Sequence, residues 1–130
     1  MIVVDASALV EVLLRTRDAQ AIEDRLFEDG QTLHAPHLLD IEVAHAVRRY
    51  AINGQIDREG GRAALAILAA LPLNRYPHGF LLPRIWDLRN NLTAYDAVYV
   101  ALAETLEVPL VTRDGRLARA AGHGARIELV

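Results

Sequence analysis

The sequence predicts an α/β fold, a mostly parallel sheet of four to five strands flanked by about seven helices. Three observations carry it. Short apolar runs ("MIVV", "TLHAP", "VPLVT") alternate with longer segments of helical periodicity. Turn and stop residues separate the two kinds of segment. The opening run also breaks off at Asp5, as a buried parallel strand does when it feeds a helix.

The elements follow in order. "MIVV" is a strand and "SALVEVLLR" a helix. "DAQAIEDRLFEDG" has helical periodicity with Gly30 as its stop, and "TLHAP" is a strand closed by Pro36. "HLLDIEVAHAVRRYAINGQ" is a long amphipathic helix stopped near Asn53 and Gly54. "DREGGRAALAILAAL" is a helix capped by Asp57. "LNRYP" reads as an edge strand. "FLLPRIWDLRNN" is helical, because Pro83 is tolerated in a first turn. "LTAYDAVYVALAE" is a helix, "VPLVT" a strand, "DGRLARAAG" a short helix and "ARIELV" a last strand. With no linker, repeat or low-complexity segment, residues 1–130 read as one domain.

Composition narrows the function classes. At 130 residues and 52% hydrophobic, the chain can bury a real core. No apolar run approaches the roughly 18 residues of a membrane span. The start lacks the basic segment of a signal peptide, so the cytoplasm is the expected compartment. Cysteine is absent, which removes disulfides, thiol nucleophiles and thiolate zinc sites. Net charge is −3, so affinity for nucleic acid requires a local patch. All 14 basic residues are arginine, which removes mechanisms that need a lysine amine.

Open α/β sheets bind ligands at the carboxyl ends of their strands. Asp5 follows the first strand, with Ser7 two residues on. Thr112 and Asp114 stand at the end of "VPLVT". Glu42 lies early in the long helix, and Asp96 in the first turn of "LTAYDAVYVALAE". Each has a structural explanation. Asp5, Ser7 and Asp114 have the position of helix caps. Thr93 and Asp96 have capping-box spacing, and Glu42 shares a helix face with His45, Ala46 and Arg49. Capping does not explain why four such starts share one sheet edge. Several carboxylates together demand a counter-charge, and an all-oxygen donor set suits Mg²⁺ or Mn²⁺. In that setting Ser7 and Thr112 orient ligand waters or a substrate phosphate.

With these residues placed, the chain resembles the PIN-domain family, and within it the VapC-type toxins of bacterial toxin–antitoxin pairs. The likeness runs through "IVVDASALVEVLL", "HAPHLLDIEVAHAVRR", "LLPRIWDLRNNLTAYDAVYVALAE" and "PLVTRDGRLARAAG". It implies a PIN-like three-layer sandwich and an Mg²⁺- or Mn²⁺-dependent endoribonuclease. The family's acidic quartet falls on Asp5, Glu42, Asp96 and Asp114, its metal-side hydroxyl on Ser7, and a supporting position on Thr112. The resemblance also implies an RNA substrate (transfer or ribosomal RNA) and a homodimer. A VapB-type antitoxin would silence it in a heterotetramer or larger complex. Some PIN nucleases carry one more acid after the last aspartate, where this chain has Arg116 and Arg119. That departure points to one ordered ion, with the arginines on a solvated face or against RNA phosphates.

Two rival readings are distinguishable. Aspartyl-phosphate chemistry at a strand-end Asp uses a nearby lysine, and this chain has none. A non-catalytic PIN-like module that grips RNA or protein would be expected to have lost acids of the quartet. The histidines, including His34 and His37, read as structural or solvent-exposed. Tyr99 is expected in the core, and Trp86 in the core or at a dimer interface.

Overall fold

The computed structural model describes residues 1–130. Its sheet has five parallel strands: β1 (Ile2–Val4), β2 (Leu33–Pro36), β3 (Leu73–Tyr76), β4 (Leu110–Thr112) and β5 (Ile127–Leu129). The helices are α1 (Ala6–Leu13), α2 (Ala19–Leu26), α3 (Leu38–Ile52), α4 (Arg58–Ala70), α5 (Leu82–Asp87), α6 (Ala94–Leu106) and α7 (Gly115–Arg119). A 3₁₀ turn at Gly79–Leu81 leads into α5. Five strands and seven helices bear out the predicted fold class.

Strand order is β3-β2-β1-β4-β5. The chain therefore steps outward from β1 in one direction to β3, then returns across the sheet to lay β4 on the other side of β1. Right-handed crossovers put α1–α4 on one face and α5–α7 on the other. Packing agrees, since α1 contacts α2, α3 and α4, while α5 contacts α6 and α7 contacts β4 and β5.

The central strands are apolar and buried on both faces, as a covered parallel sheet requires. Ile2, Val3 and Val4 are all within the core. Helix α6 lies against β1, β2 and β4. Every residue from Ala97 to Ala103 is buried, so it is a core helix rather than an amphipathic one.

Local chemistry sets the element ends. Asp57 accepts a hydrogen bond from Gly60 N and caps α4. Thr93 accepts one from Asp96 N at 3.2 Å and caps α6. Gly54 takes a positive φ of 75° just after α3, where a side chain would be strained. Three helices are shorter than their periodicity suggests. Helix α2 ends at Leu26, and Gly30 (φ 77°) turns the following loop instead. Helix α5 stops at Asp87 because the next residues turn Leu88 and Leu92 into the core. Helix α7 stops at Arg119, where Ala120 becomes extended.

Candidate active site

The reversal of winding falls between β1 and β4, whose register pairs Val4 with Val111. Ligand crevices of open α/β sheets form at such a switch point, outside the carboxyl ends of the strands. Asp5 is the first residue after β1, and Asp114 lies two residues after β4. Helices α3 and α6 begin at the same edge, which brings Glu42, early in α3, and Asp96, in the first turn of α6, there. All four carboxylates, with Ser7, line one cavity of about 410 Å³.

Asp5 is held most tightly. Its Oδ2 accepts hydrogen bonds from the Ser7 hydroxyl at 2.7 Å and the Thr112 hydroxyl at 2.6 Å. Those hydroxyls in turn accept from backbone N–H groups, Ser7 from Arg113 and Thr112 from Asp114, each at 3.0 Å. The two hydroxyls also lie 3.2 Å from each other, and together they fix the Asp5 carboxylate. Thr112 is buried beneath the cavity floor. Although Asp5 occupies the N-cap position of α1, its side chain makes no capping bond.

The other acids are anchored differently. Asp114 does cap its helix, accepting from Arg116 N at 2.8 Å and Leu117 N at 3.4 Å through Oδ1. Glu42 accepts from the Tyr99 hydroxyl at 2.7 Å through Oε1. It is not the solvated, helix-paired residue that its sequence neighbours allowed. Asp96 sits in the capping box of α6, its carboxylate in no ion pair and with Thr93 as its hydrogen-bonding neighbour. Asp5, Glu42 and Asp114 each spend one oxygen on the protein and leave the other free.

Charge is poorly balanced at this edge. Asp5, Glu42 and Asp96 make no ion pair, and Asp114 has only Arg116 at 3.7 Å. Burial, followed by repulsion from Asp5 and Asp96, raises the pKa of Glu42 against the opposing Tyr99 hydrogen bond. Burial, then Asp5 and Asp114, raises that of Asp96. Both shifts come first from burial and then from neighbouring carboxylates.

The donor set fits a hard divalent cation: all oxygen, anionic, with free carboxylate oxygens facing one cavity. No three of these side chains form a ready-made ligand cage. A small cation that retains several waters does not need a closed cage.

Sequence reasoning missed Tyr99 as part of the site. It was expected in the core and is fully buried there, yet its hydroxyl reaches Glu42, 57 residues away. Burial and the Glu42 charge raise the phenol's pKa, so it remains a donor. A phenol three residues after a site aspartate, on a helix apolar all round, was the available signal, since a buried Tyr O–H needs a partner. Arg49 and Arg116 also line the cavity; for Arg49 this follows from the helix face it shares with Glu42. Trp86 is 67% exposed, with the Arg89 guanidinium 4.5 Å over its ring, so it is not a core residue. Among the histidines, His34 is structural: it bonds Thr32 and Tyr76, and burial lowers its pKa.

A family model described as the PIN domain matches residues 2–123. Ribonuclease VapC1 of Mycobacterium tuberculosis is 50% identical over 129 residues, 98% of this chain and 96% of that protein. The crystal structure of PAE2754 from Pyrobaculum aerophilum superimposes with a TM-score of 0.73 at 26% identity, covering 97% of this chain and 81% of the other. VapBC2 from Rickettsia felis, solved bound to a DNA fragment from its promoter, gives 0.72 at 15% identity, over 99% and 98% of the two chains. At that identity the likeness is one of fold.

Proposed function

The chain belongs to the PIN-domain family, with VapC ribonucleases among its relatives, and from that premise we propose that it is an Mg²⁺- or Mn²⁺-dependent endoribonuclease, the toxin of a VapBC-type pair. One observation carries the reading. Three half-buried or buried acids that make no ion pair, with a fourth weakly paired, share the switch-point cavity.

Asp5, Asp96 and Asp114 would hold the cation directly or through water, with Glu42 at the side of the attacking water. A cation bound there supplies charge neutralisation, Lewis-acid stabilisation of phosphoryl oxygens and activation of water. The chain's own residues do the rest. Ser7 and Thr112 keep Asp5 in one rotamer, and Tyr99 pins Oε1 of Glu42 so that Oε2 faces the cavity. Glu42 takes a proton from water as the water oxygen bonds to phosphorus in line. The bond from phosphorus to the 3′ oxygen breaks, and solvent protonates that oxygen. The products are a 5′-phosphate and a 3′-hydroxyl.

Residues 1–130 act as one domain in this reading, in the cytoplasm. The substrate class is transfer or ribosomal RNA. The likeness to a VapBC structure supports a VapB-type antitoxin that silences the site, in a heterotetramer or larger complex built on a toxin homodimer.

The test is cleavage of total RNA by the wild type and by Asp96→Asn, each with Mn²⁺ and with EDTA, with the ends mapped. Expected are 5′-phosphate ends from the wild type with Mn²⁺ alone and a loss on the order of 10³-fold in Asp96→Asn, with an unchanged circular dichroism spectrum. Wild-type-rate cleavage by Asp96→Asn would overturn the site assignment. Tight RNA binding without any cleavage would favour a non-catalytic module.

A further inference from the structure

The cavity is not acidic throughout. Three arginines line it, and their commitments differ. Arg113 is used by the fold: it bonds Asp18 at 2.9 Å and the Val130 carbonyl at 3.0 Å. Arg116 is largely exposed; its one ion pair is with Asp114 at 3.7 Å, and its charge also acts on Asp96. Arg49 is exposed and makes neither an ion pair nor a side-chain hydrogen bond. A guanidinium that leaves nearby carboxylates unpaired is placed for some other anion.

Its position on α3 indicates which anion. Arg49 lies seven residues after Glu42, two turns on along the same face and about 10 Å along the axis. Between them on that face is Ala46, which also lines the cavity and presents only a methyl group. The wall thus runs from acid, across a low step, to a free base. Arg116 stands on α7, past Asp114 on the other wall. These two arginines stand on either side of the four site acids, while Glu11, the fifth acid lining the cavity, accepts from the Thr16 hydroxyl.

We propose that Arg49 and Arg116 bind the backbone phosphates flanking the cut bond, so that single-stranded RNA crosses the cavity from α3 to α7. The inference rests on the ribonuclease reading and deepens it. On a chain of net charge −3, with acids concentrated at the site, these two arginines offset the repulsion that RNA meets on entering. They carry no base information and act on affinity and register.

The test measures binding of a fluorescein-labelled single-stranded RNA of mixed sequence to Asp96→Asn protein, with Mn²⁺, across a salt titration. Arg49→Gln and Arg116→Gln are each added to that background, and Arg48→Gln is the control. Arg48 is exposed on the same helix but does not line the cavity. Loss of one phosphate contact flattens the slope of log K against log salt by about 0.7, and weakens binding about five-fold near 0.1 M salt. Arg49→Gln and Arg116→Gln are expected to show this, and Arg48→Gln is not. In otherwise wild-type protein, Arg49→Gln is expected to raise KM with little change in kcat. Equal slopes for Arg48→Gln and Arg49→Gln would overturn the inference while leaving cleavage by the wild type intact. If the wild type cuts no RNA yet the slopes differ as expected, the phosphate contacts stand and the cleavage reading falls.

Discussion

Two groups of carboxylates in this fold are treated in opposite ways. At the amino-terminal edge, Glu104 is paired with Arg84 at 3.0 Å, beside a cavity of about 480 Å³. Glu128, at the sheet margin, is paired with Arg25 at 2.6 Å, and Asp40, in the first turn of α3 but outside the acidic cavity, with Arg75 at 2.7 Å. At the carboxyl-terminal edge, Asp5, Glu42 and Asp96 have no such partner. Arginine is abundant in this chain, so the difference is one of placement. Cavity size does not identify the site, whereas unpaired charge at a switch point does. Glu104, Glu128 and Asp40 are matched by arginine, whereas Asp5, Glu42 and Asp96 are left for a ligand.

The contrast can be sharpened by perturbing one member of each region. Tyr99→Phe removes a single hydroxyl and leaves the ring to fill its place in the core. Loss of that hydroxyl frees Glu42 to rotate away from the cavity. Mn²⁺ affinity, followed by electron paramagnetic resonance, and cleavage are both expected to fall about 10- to 100-fold. Stability should drop by only about 1 kcal/mol. A Tyr99→Phe protein with unchanged Mn²⁺ affinity would reduce Tyr99 to a packing residue.

The paired region should respond in the reverse sense. Arg84→Ala breaks a partly exposed ion pair, worth at most about 1 kcal/mol after solvent screening. A small loss in melting temperature with wild-type cleavage is the expected result. A large loss of activity would mean that the two edges are coupled, and the division of labour between them would fail.

Much of this was legible in the sequence, for a local reason. Strand ends, helix first turns and caps are written in short stretches, so Asp5, Glu42, Asp96 and Asp114 were identifiable as edge residues before their meeting could be seen. The cap positions were legible too, but not which acids use them: Asp114 caps α7, while Asp5 turns its carboxylate to Ser7 and Thr112. Long-range partners were not legible. The Thr112 bond to Asp5 spans 107 residues and the Tyr99 bond to Glu42 spans 57, and both depend on a strand order that no local signal encodes. For Trp86 the core half of the expectation fails, because its neighbours on the helix face, Leu82 among them, are apolar yet exposed.

The most direct test of the central claim, that the unmatched carboxylates form a cation site, is melting temperature against pH with and without Mn²⁺, for the wild type and Asp96→Asn. The pKa values of Glu42 and Asp96 are raised in the folded state. Their contribution to stability is therefore full below the unfolded carboxylate range and is lost as pH rises through the raised values. Metal-free wild type should gain stability relative to Asp96→Asn as pH falls from neutrality toward the carboxylate range. At neutral pH, Mn²⁺ should raise the melting temperature of the wild type much more than that of Asp96→Asn. Equal Mn²⁺ stabilisation of the two proteins, or none of either, would contradict the account.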